Sequence, residues 1–510
     1  MSESTPATVS PFTAHVIRWQ PWNASAFERA AVERKAVLLS LTATWCRGCH
    51  VMDRTTYCDP AIVRAVETAF VPVRVDTDRR PDVNARYNLD GWPTTVLLTP
   101  TGEMLTGSTY LTPQAMASML DTTAAAMRTR YDELTAAADE AARARRTAAP
   151  AARYEPDGEA PAWLASRMLE EEDPQFGGFG TGGKFLQVPL LKFAVAFCAR
   201  TGDRRLAPLL LRTLDALCHG GMVDHADGGF FRYAAGRDFT RAHTEKMLED
   251  QVGLLTVLLM AARLFDRADY RDRAVDVIRY VHRSLHEESA GFFSSQAPDD
   301  EFYALPASIR ASMDSPPVDR TCFTDVNAQA IEAWLVAAAG LNDGALVRHA
   351  LGAADAVLES TYSPDAGHRH WTEPGATSDL LADQVHAAAA RLGLFAATGD
   401  RRHLDAAEDL ARTTIRRFWD DEAGGFFDRA PGAPDEIGLL RDRIKPLALN
   451  SVAARGLGRL AVLTGSAEWS VRAREALGAV TGTYRAQGLA AAPYALAVLD
   501  LLTPEAPGPS

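Results

Sequence analysis

A chain of 510 residues with 47% hydrophobic residues and a formal net charge of −13 is long enough for two or three domains with cores of their own. The excess of Asp and Glu argues against nucleic acid or an anionic membrane as partner, since both need clustered Lys and Arg. Six cysteines, Cys46, Cys49, Cys58, Cys198, Cys218 and Cys322, are too few and too scattered for a disulfide framework at this length.

The opening MSESTPATVSPF has no basic region followed by an apolar one, and no later stretch approaches about 18 uninterrupted apolar residues. These features predict a soluble cytoplasmic protein. The first ten residues and the closing TPEAPGPS read as disordered. From about residue 12 to 113, short β-type runs (AVLLSLTA, FVPVRVD, TTVLLTP) alternate with helical segments such as Asp59 to Thr68, an α/β texture. Gln114 to about Ala148 contains no glycine or proline and predicts one long helix, and AAPAARYEPDGEAP after it reads as a linker. The domain reading is therefore 12–135 for the α/β domain, 136–160 for a helical extension and linker, and 161–503 for a helical remainder.

After Pro161 about twelve Ala/Leu-rich amphipathic segments succeed one another to Leu502. Short links such as TGDRR, at Thr201 and again at Thr398, alternate with Gly-aromatic links, GGFG at Gly177, GGFF at Gly228, GFF at Gly291 and GGFF at Gly424. This internal repeat means stacked helical hairpins that bury a shared core. Five hairpins are complete, and the helix near Pro161 can pair with the one near Leu496 to close a sixth. The expected architecture is an α/β domain followed by an all-α (α/α)6 toroid, with an open superhelix as the alternative.

Two runs carry candidate chemistry. In LTATWCRGCHVMDRTTYC a buried strand breaks into Cys-x-x-Cys before a helix. That junction gives Cys46 unpaired backbone N–H groups and a helix dipole that stabilise a thiolate, and Arg47 adds a cation. Cys46 is the expected attacking thiol and Cys49, one turn on, the resolving one. Two other readings stand beside this redox one: a non-catalytic binding platform, and a Cys3His zinc set of Cys46, Cys49, His50 and Cys58. Against the second, a helix aims the adjacent Cys49 and His50 about 100° apart. Cys198, Cys218 and Cys322 read as small core residues.

The other run, Gly220 to Leu255, clusters His225, Arg232, Tyr233, His243, Glu245, Lys246 and Asp250 on a loop and the first turns of a helix. Polar residues recur early in the corresponding helices, at Gln251, Asn327, Gln329, Asp383, Gln384 and Asn450. The expectation is a cavity lined by His225, Arg232, Tyr233, His243, Glu245, Asp250, Asn327, Asp383 and Asn450, suited to a small carbohydrate-like ligand. The opposing reading is a polar network that only holds the loops. Neither run calls for a cofactor or a bound metal.

Gly91-Trp92-Pro93 ahead of a strand resembles the thioredoxin fold, in which this proline is cis and faces the Cys-x-x-Cys; the resemblance places Pro93 at the catalytic site with Cys46 and Cys49. Thioredoxins carry a buried acid where this chain has Ser40. With CRGCHVM, VDTDRRPDVNARY, GWPTTVLLTPTG, GSTY, GGFGTGGKF, DHADGGFFRY and HTEKMLEDQ, the chain resembles the spermatogenesis-associated, thioredoxin-domain-containing proteins. In that family a thioredoxin-like domain precedes a six-hairpin, glycosidase-like toroid. The family carries a long acidic segment where this chain has GFFSSQAPDDEFYALP, so the chain looks like a shortened form. The family resemblance implies the fold rather than the reaction; the Cys-x-x-Cys in its thioredoxin-like setting is what points to thiol-disulfide or thiol-binding activity on a thiol substrate, as in a thiol-disulfide oxidoreductase. The alternatives are a carbohydrate-processing or carbohydrate-binding toroid with the first domain as scaffold, and a non-enzymatic interaction protein.

Overall fold

The computed structural model describes residues 16–147 and 154–502 in two compact units. The polar N-terminal stretch, the first part of the linker and the TPEAPGPS tail lie outside the described residues.

The first unit contains residues 16–147 together with Gly432–Arg443. In chain order its elements are α1 (Ala24–Glu33), β1 (Ala36–Thr42), α2 (Arg47–Arg54), α3 (Pro60–Ala69), β2 (Phe70–Asp76), α4 (Pro81–Tyr87), β3 (Thr94–Leu98), β4 (Met104–Ser108) and α5 (Pro113–Arg146). The strands order as β2-β1-β3-β4, with β1 parallel to β2 and antiparallel to β3. β1 is apolar almost throughout because helices cover both faces of the sheet's centre, as expected of a strand buried on both sides. Local signals set the helix starts: Asp59 accepts from Ala61 and Ile62 N–H ahead of Pro60, and Asn23 accepts from Ala26 N–H.

Gly432–Arg443, counted in sequence with the helical region, completes this unit's core. Ile437 and Leu440 are buried among Trp22, Phe27, Val73 and Tyr87. Tyr87 Oη donates to Gly102 O at 2.7 Å and accepts from Leu439 N–H at 2.9 Å, while Arg86 donates to the carbonyls of Leu439 and Asp442.

The second unit, residues 154–431 and 444–502, is helical. Its helices are α6 (Ala160–Glu171), α7 (Val188–Thr201), α8 (Ala207–His219), α9 (Leu248–Phe265), α10 (Ala268–Ser284), the short α11 (Asp300–Tyr303) and α12 (Ala307–Arg310), α13 (Thr324–Leu341), α14 (Gly344–Ala353), α15 (Leu381–Thr398), α16 (Arg401–Phe418), α17 (Leu447–Thr464), α18 (Ala467–Gly478) and α19 (Ala492–Leu502). Helices α7, α9, α13, α15, α17 and α19 each pack on the next, and α19 packs back on α7, so six inner helices close a ring. Outside it α8, α10, α14, α16 and α18 pair with their predecessors in hairpins, and α6 pairs with α19 as the sixth. This is the (α/α)6 toroid, and the open superhelix is excluded.

The Gly-aromatic links before inner helices share one construction. Asp173, Asp224 and Asp420 each cap a tight loop through the second and third N–H groups after them. Each also pairs with a lysine, Lys184, Lys246 and Lys445 respectively, at 2.7–2.9 Å. Gly229, at φ 78°, fits because a Cβ there would come within 2.6 Å of the Tyr280 ring. Lys246, grouped by sequence with the candidate cavity, is instead fully buried as this loop's tie. Among the described residues no helix is long and apolar enough to cross a membrane.

Candidate functional site

In the first unit β1 ends and α2 begins at Cys46, which is the helix's N-cap: its Sγ accepts from Cys49 N–H at 3.0 Å. Cys46 and Cys49 are joined as a disulfide, and both are buried. The Trp92–Pro93 bond is cis, and Pro93 lies against the first turn of α2, where a Cβ on Gly48 would come within 2.9 Å of Pro93 Cδ. Two indoles frame the site: Trp45 donates to Asp78 at 2.8 Å, Trp92 donates to Thr77 at 3.1 Å, and the rings meet edge to face at 5.3 Å.

On the buried side of α2, Asp53 is held by Arg74 through both carboxylate oxygens at 2.7 Å. Ser40, where a thioredoxin's buried acid is expected, pairs with Thr95 across the sheet. Tyr57 bonds both hydroxyls, its contact with Thr95 being 2.9 Å, and burial raises the phenol's pKa so that it stays neutral. A hydroxyl network thus replaces the acid. With Cys46 and Cys49 joined to each other and Cys58 donating to Asp53 O at 2.8 Å, the Cys3His reading finds no ready ligand set.

In the second unit the residues singled out from sequence divide into three groups. Asn327 and Asn450 hold backbone. Asn327 Oδ1 accepts from Phe292 N–H at 2.8 Å while its Nδ2 donates to Phe292 O and Phe323 O; Asn450 does the same with Phe426 and Pro446. Expected as cavity contributors, both amides are instead engaged at both ends by the link loops. Gln251 and Gln384 make the equivalent bonds to Phe230 and His368.

His225 is exposed on its loop and bonds Gly220 O at 3.2 Å. Tyr233 is sandwiched between His243, with ring centres 4.0 Å apart, and Phe185, at 5.0 Å, in a three-ring stack. Glu245 is buried beside this stack, where its charge helps raise the Tyr233 pKa after burial itself.

Asp250 and Asp383 belong to the third group, an acidic cluster on the ring's inner helices, with Arg232 among its electrostatic partners. Burial and then the neighbouring Glu249 push the Asp250 carboxyl well up, against Arg232. Glu249 is raised by burial and by Asp325, although its side chain remains open to water. Asp325 is raised chiefly by burial and also by Asp383, against His370 and His386. His370 Nδ1 bonds Asp383 Oδ1 at 2.9 Å, and a ligand atom from each of Asp325, His370 and Asp383 lies within 4.8 Å of the other two. Further along the helices, burial lowers the pKa of His386 and Lys192. Chemically this cluster combines a carboxyl held toward its neutral form, a carboxylate-supported imidazole and two further acids. It suits proton transfer, hydroxyl binding or capture of a cation.

Sequence reasoning missed Glu249, Asp325, His370 and His386. A signal existed: an acid stands one or two places before the backbone-holding amide in LEDQ, TDVN and LADQ. Successive helical positions turn about 100°, so the amide can face the link loop while the acid faces elsewhere.

Residues 3–146 match the family model Thioredox_DsbH, described as a protein of unknown function, DUF255. The chain is 31% identical over 308 residues to spermatogenesis-associated protein 20 of Homo sapiens, an alignment covering 56% of this chain and 39% of that protein. It therefore spans about two fifths of that relative's length. Among solved structures, a sugar epimerase from a ruminal bacterium aligns with a TM-score of 0.52 and 12% identity over 66% of this chain and 85% of its own. Cellobiose 2-epimerase from Bacillus thermoamylovorans aligns with a TM-score of 0.52 and 13% identity over 64% of this chain and 86% of its own. At such identities these two establish the shared toroid fold and nothing further. Over the 56% of its length that aligns, the chain is similar to spermatogenesis-associated protein 20, and its residues 3–146 are similar to the DUF255 family model.

Proposed function

We propose that the first unit carries out thiol-disulfide exchange at Cys46 and Cys49. The observation that carries this reading is the placement of Cys46 as N-cap of α2, its sulfur accepting the Cys49 N–H, with Pro93 beside that turn. An N–H donor and a helix dipole aimed at one sulfur favour its thiolate. In the reduced protein the Cys46 thiolate attacks one sulfur of a substrate disulfide, breaking that bond and expelling one substrate thiolate, which takes a proton. Cys49, losing its proton, then attacks the Cys46 sulfur, releases the second substrate thiol and leaves the Cys46–Cys49 disulfide. Two molecules of a small external thiol, joined to each other as a disulfide in the process, reduce the pair for the next cycle. Cys46 is only 3% exposed, so an incoming sulfur reaches it after neighbouring side chains move, which favours a small disulfide over a folded protein partner.

The test is reduction of glutathione disulfide or hydroxyethyl disulfide by wild type, Cys46→Ser and Cys49→Ser. Turnover is expected for wild type, none for Cys46→Ser, and a trapped mixed disulfide visible by intact mass for Cys49→Ser. Equal rates for wild type and Cys46→Ser overturn the proposal.

A second reading, for the toroid, rests on Asp325, His370 and Asp383 gathered beside Asp250 and Glu249. Raised carboxyls next to a carboxylate-supported imidazole fit general acid–base work on a polyhydroxy ligand. That the fold is shared with sugar epimerases agrees with this but does not carry it. Binding of sugars, amino sugars and sugar phosphates that is lost in both His370→Ala and Asp383→Asn supports it. No saturable binding across that panel removes it.

A further inference from the structure

Three histidines outside both candidate sites come together on the helical unit. His282 sits in the last turn of α10, His286 lies in a two-residue strand just past the helix end, and His349 is on α14 of the next hairpin. One ring nitrogen from each lies within 4.8 Å of the other two. The ring centres are 5.3 Å apart for His282 and His286, 5.0 Å for His282 and His349, and 5.8 Å for His286 and His349. His282 is exposed, the other two half-buried.

From this juxtaposition we infer that His282, His286 and His349 form a binding site for a divalent transition-metal ion such as Zn2+, with a fourth position open to solvent. Imidazole suits zinc, copper and nickel, and three His plus a water is an established zinc ligand set. Around a tetrahedral ion with zinc–nitrogen bonds of about 2.0–2.1 Å, the three nitrogens stand about 3.3 Å apart. Small side-chain rotations close the remaining gap, and exposed His282 is the freest to make them.

Neutral imidazole is the ligating form. Protonated rings this close repel one another, whereas an ion between them turns the same three lone pairs into a stabilising contact. The site joins two neighbouring hairpins, and the His286 ring packs on Phe292 at 4.8 Å, whose backbone Asn327 holds. An ion here ties α10, α14 and a link loop together.

The experiment is titration of chelator-treated, full-length protein with ZnCl2 by calorimetry, with Co2+ absorption as a readout of coordination geometry. One equivalent of Zn2+ is expected to bind and raise the melting temperature. His286→Ala and the exposed His282→Gln are each expected to weaken it at least about 100-fold, the upper end of losses caused even by outer-shell changes. His282→Gln guards against misfolding, and far-UV circular dichroism of the metal-free variants checks the fold. Two other groups of potential ligands among the described residues, Asp215–His219–Asp269 and Asp325–His370–Asp383, give the competing outcomes. Zn2+ binding that survives in both His282→Gln and His286→Ala, or is lost instead in His219→Ala or His370→Ala, overturns the assignment. So does the absence of saturable binding to wild type.

Discussion

Gln251 holds both backbone groups of Phe230: its Oε1 accepts the Phe230 N–H at 2.7 Å, and its Nε2 donates to the Phe230 carbonyl at 2.8 Å. Asn327 with Phe292, Gln384 with His368 and Asn450 with Phe426 repeat the relationship. Each of these residues pairs with another extended segment along one edge, and on its other edge the amide side chain supplies the donor and acceptor that a further strand would.

Replacing Gln251 or Asn450 by Leu leaves a buried N–H and carbonyl without partners. Each change is expected to destabilise the helical unit by about 1–3 kcal/mol for each orphaned group. Chemical denaturation measures it. A midpoint unchanged in both variants contradicts the structural role.

The raised carboxyls predict a pH dependence of definite sign. Asp250 and Asp325 are raised in the folded state, so the native protein holds protons that the unfolded chain releases. Their favourable contribution is complete below the unfolded carboxylate value of about 3.9 and is lost as pH rises through the higher folded values. Asp250→Asn should therefore flatten that decline and raise stability near pH 7 by about 0.5–2 kcal/mol, the range usual when a function-driven penalty is relieved. Urea midpoints at several pH values for the two proteins decide it, and a steeper decline in the variant speaks against burial as the cause.

In the reduced protein Cys46 should titrate well below an ordinary thiol, within the range of about 3.5–7.5 found for helix-end cysteines, and Cys49 should not. Arg47→Ala should raise the Cys46 value by removing a nearby cation. Alkylation rate against pH, with peptide mapping of the products, reads both residues. An ordinary titration of Cys46, unaltered by Arg47→Ala, removes the basis of the exchange reading.

Ile437→Ala and Leu440→Ala each empty a buried place in the first unit's core, although in sequence they stand deep inside the helical region. Each should cost about 2–5 kcal/mol in the transition of that unit. Hydrogen exchange of β1 and β3 amides reports which unit loosens; protection unchanged there shows that the segment is not part of this core.

The strands of the first unit were legible because β1 and β3 are short apolar runs bounded by turn residues, and the ring because alternating link types count its hairpins. Gly432–Arg443 was not legible. Its GAPDEIGLL reads as a surface loop, and its partners Arg86 and Tyr87 lie more than 350 positions away. In the candidate cavity, Asp250 and Asp383 could be chosen from their place early in helices, but Asn327 and Asn450 were chosen on the same ground and face the link loops. Position along a helix is written in the sequence, whereas rotation about its axis comes from packing. The three histidines escaped notice for a related reason, since His349 meets His282 and His286 only where α14 packs against the link that follows α10.

The pairing of α6 with α19 has a consequence for how the molecule is made. A ribosome delivers α6 more than 300 residues before α19. From the time each is made, the apolar faces of α6, α7 and α17 that α19 will cover stay open until α19 follows. Nascent chains halted just before Ala492 should therefore present a sticky, protease-sensitive surface that disappears once the eleven residues of α19 emerge.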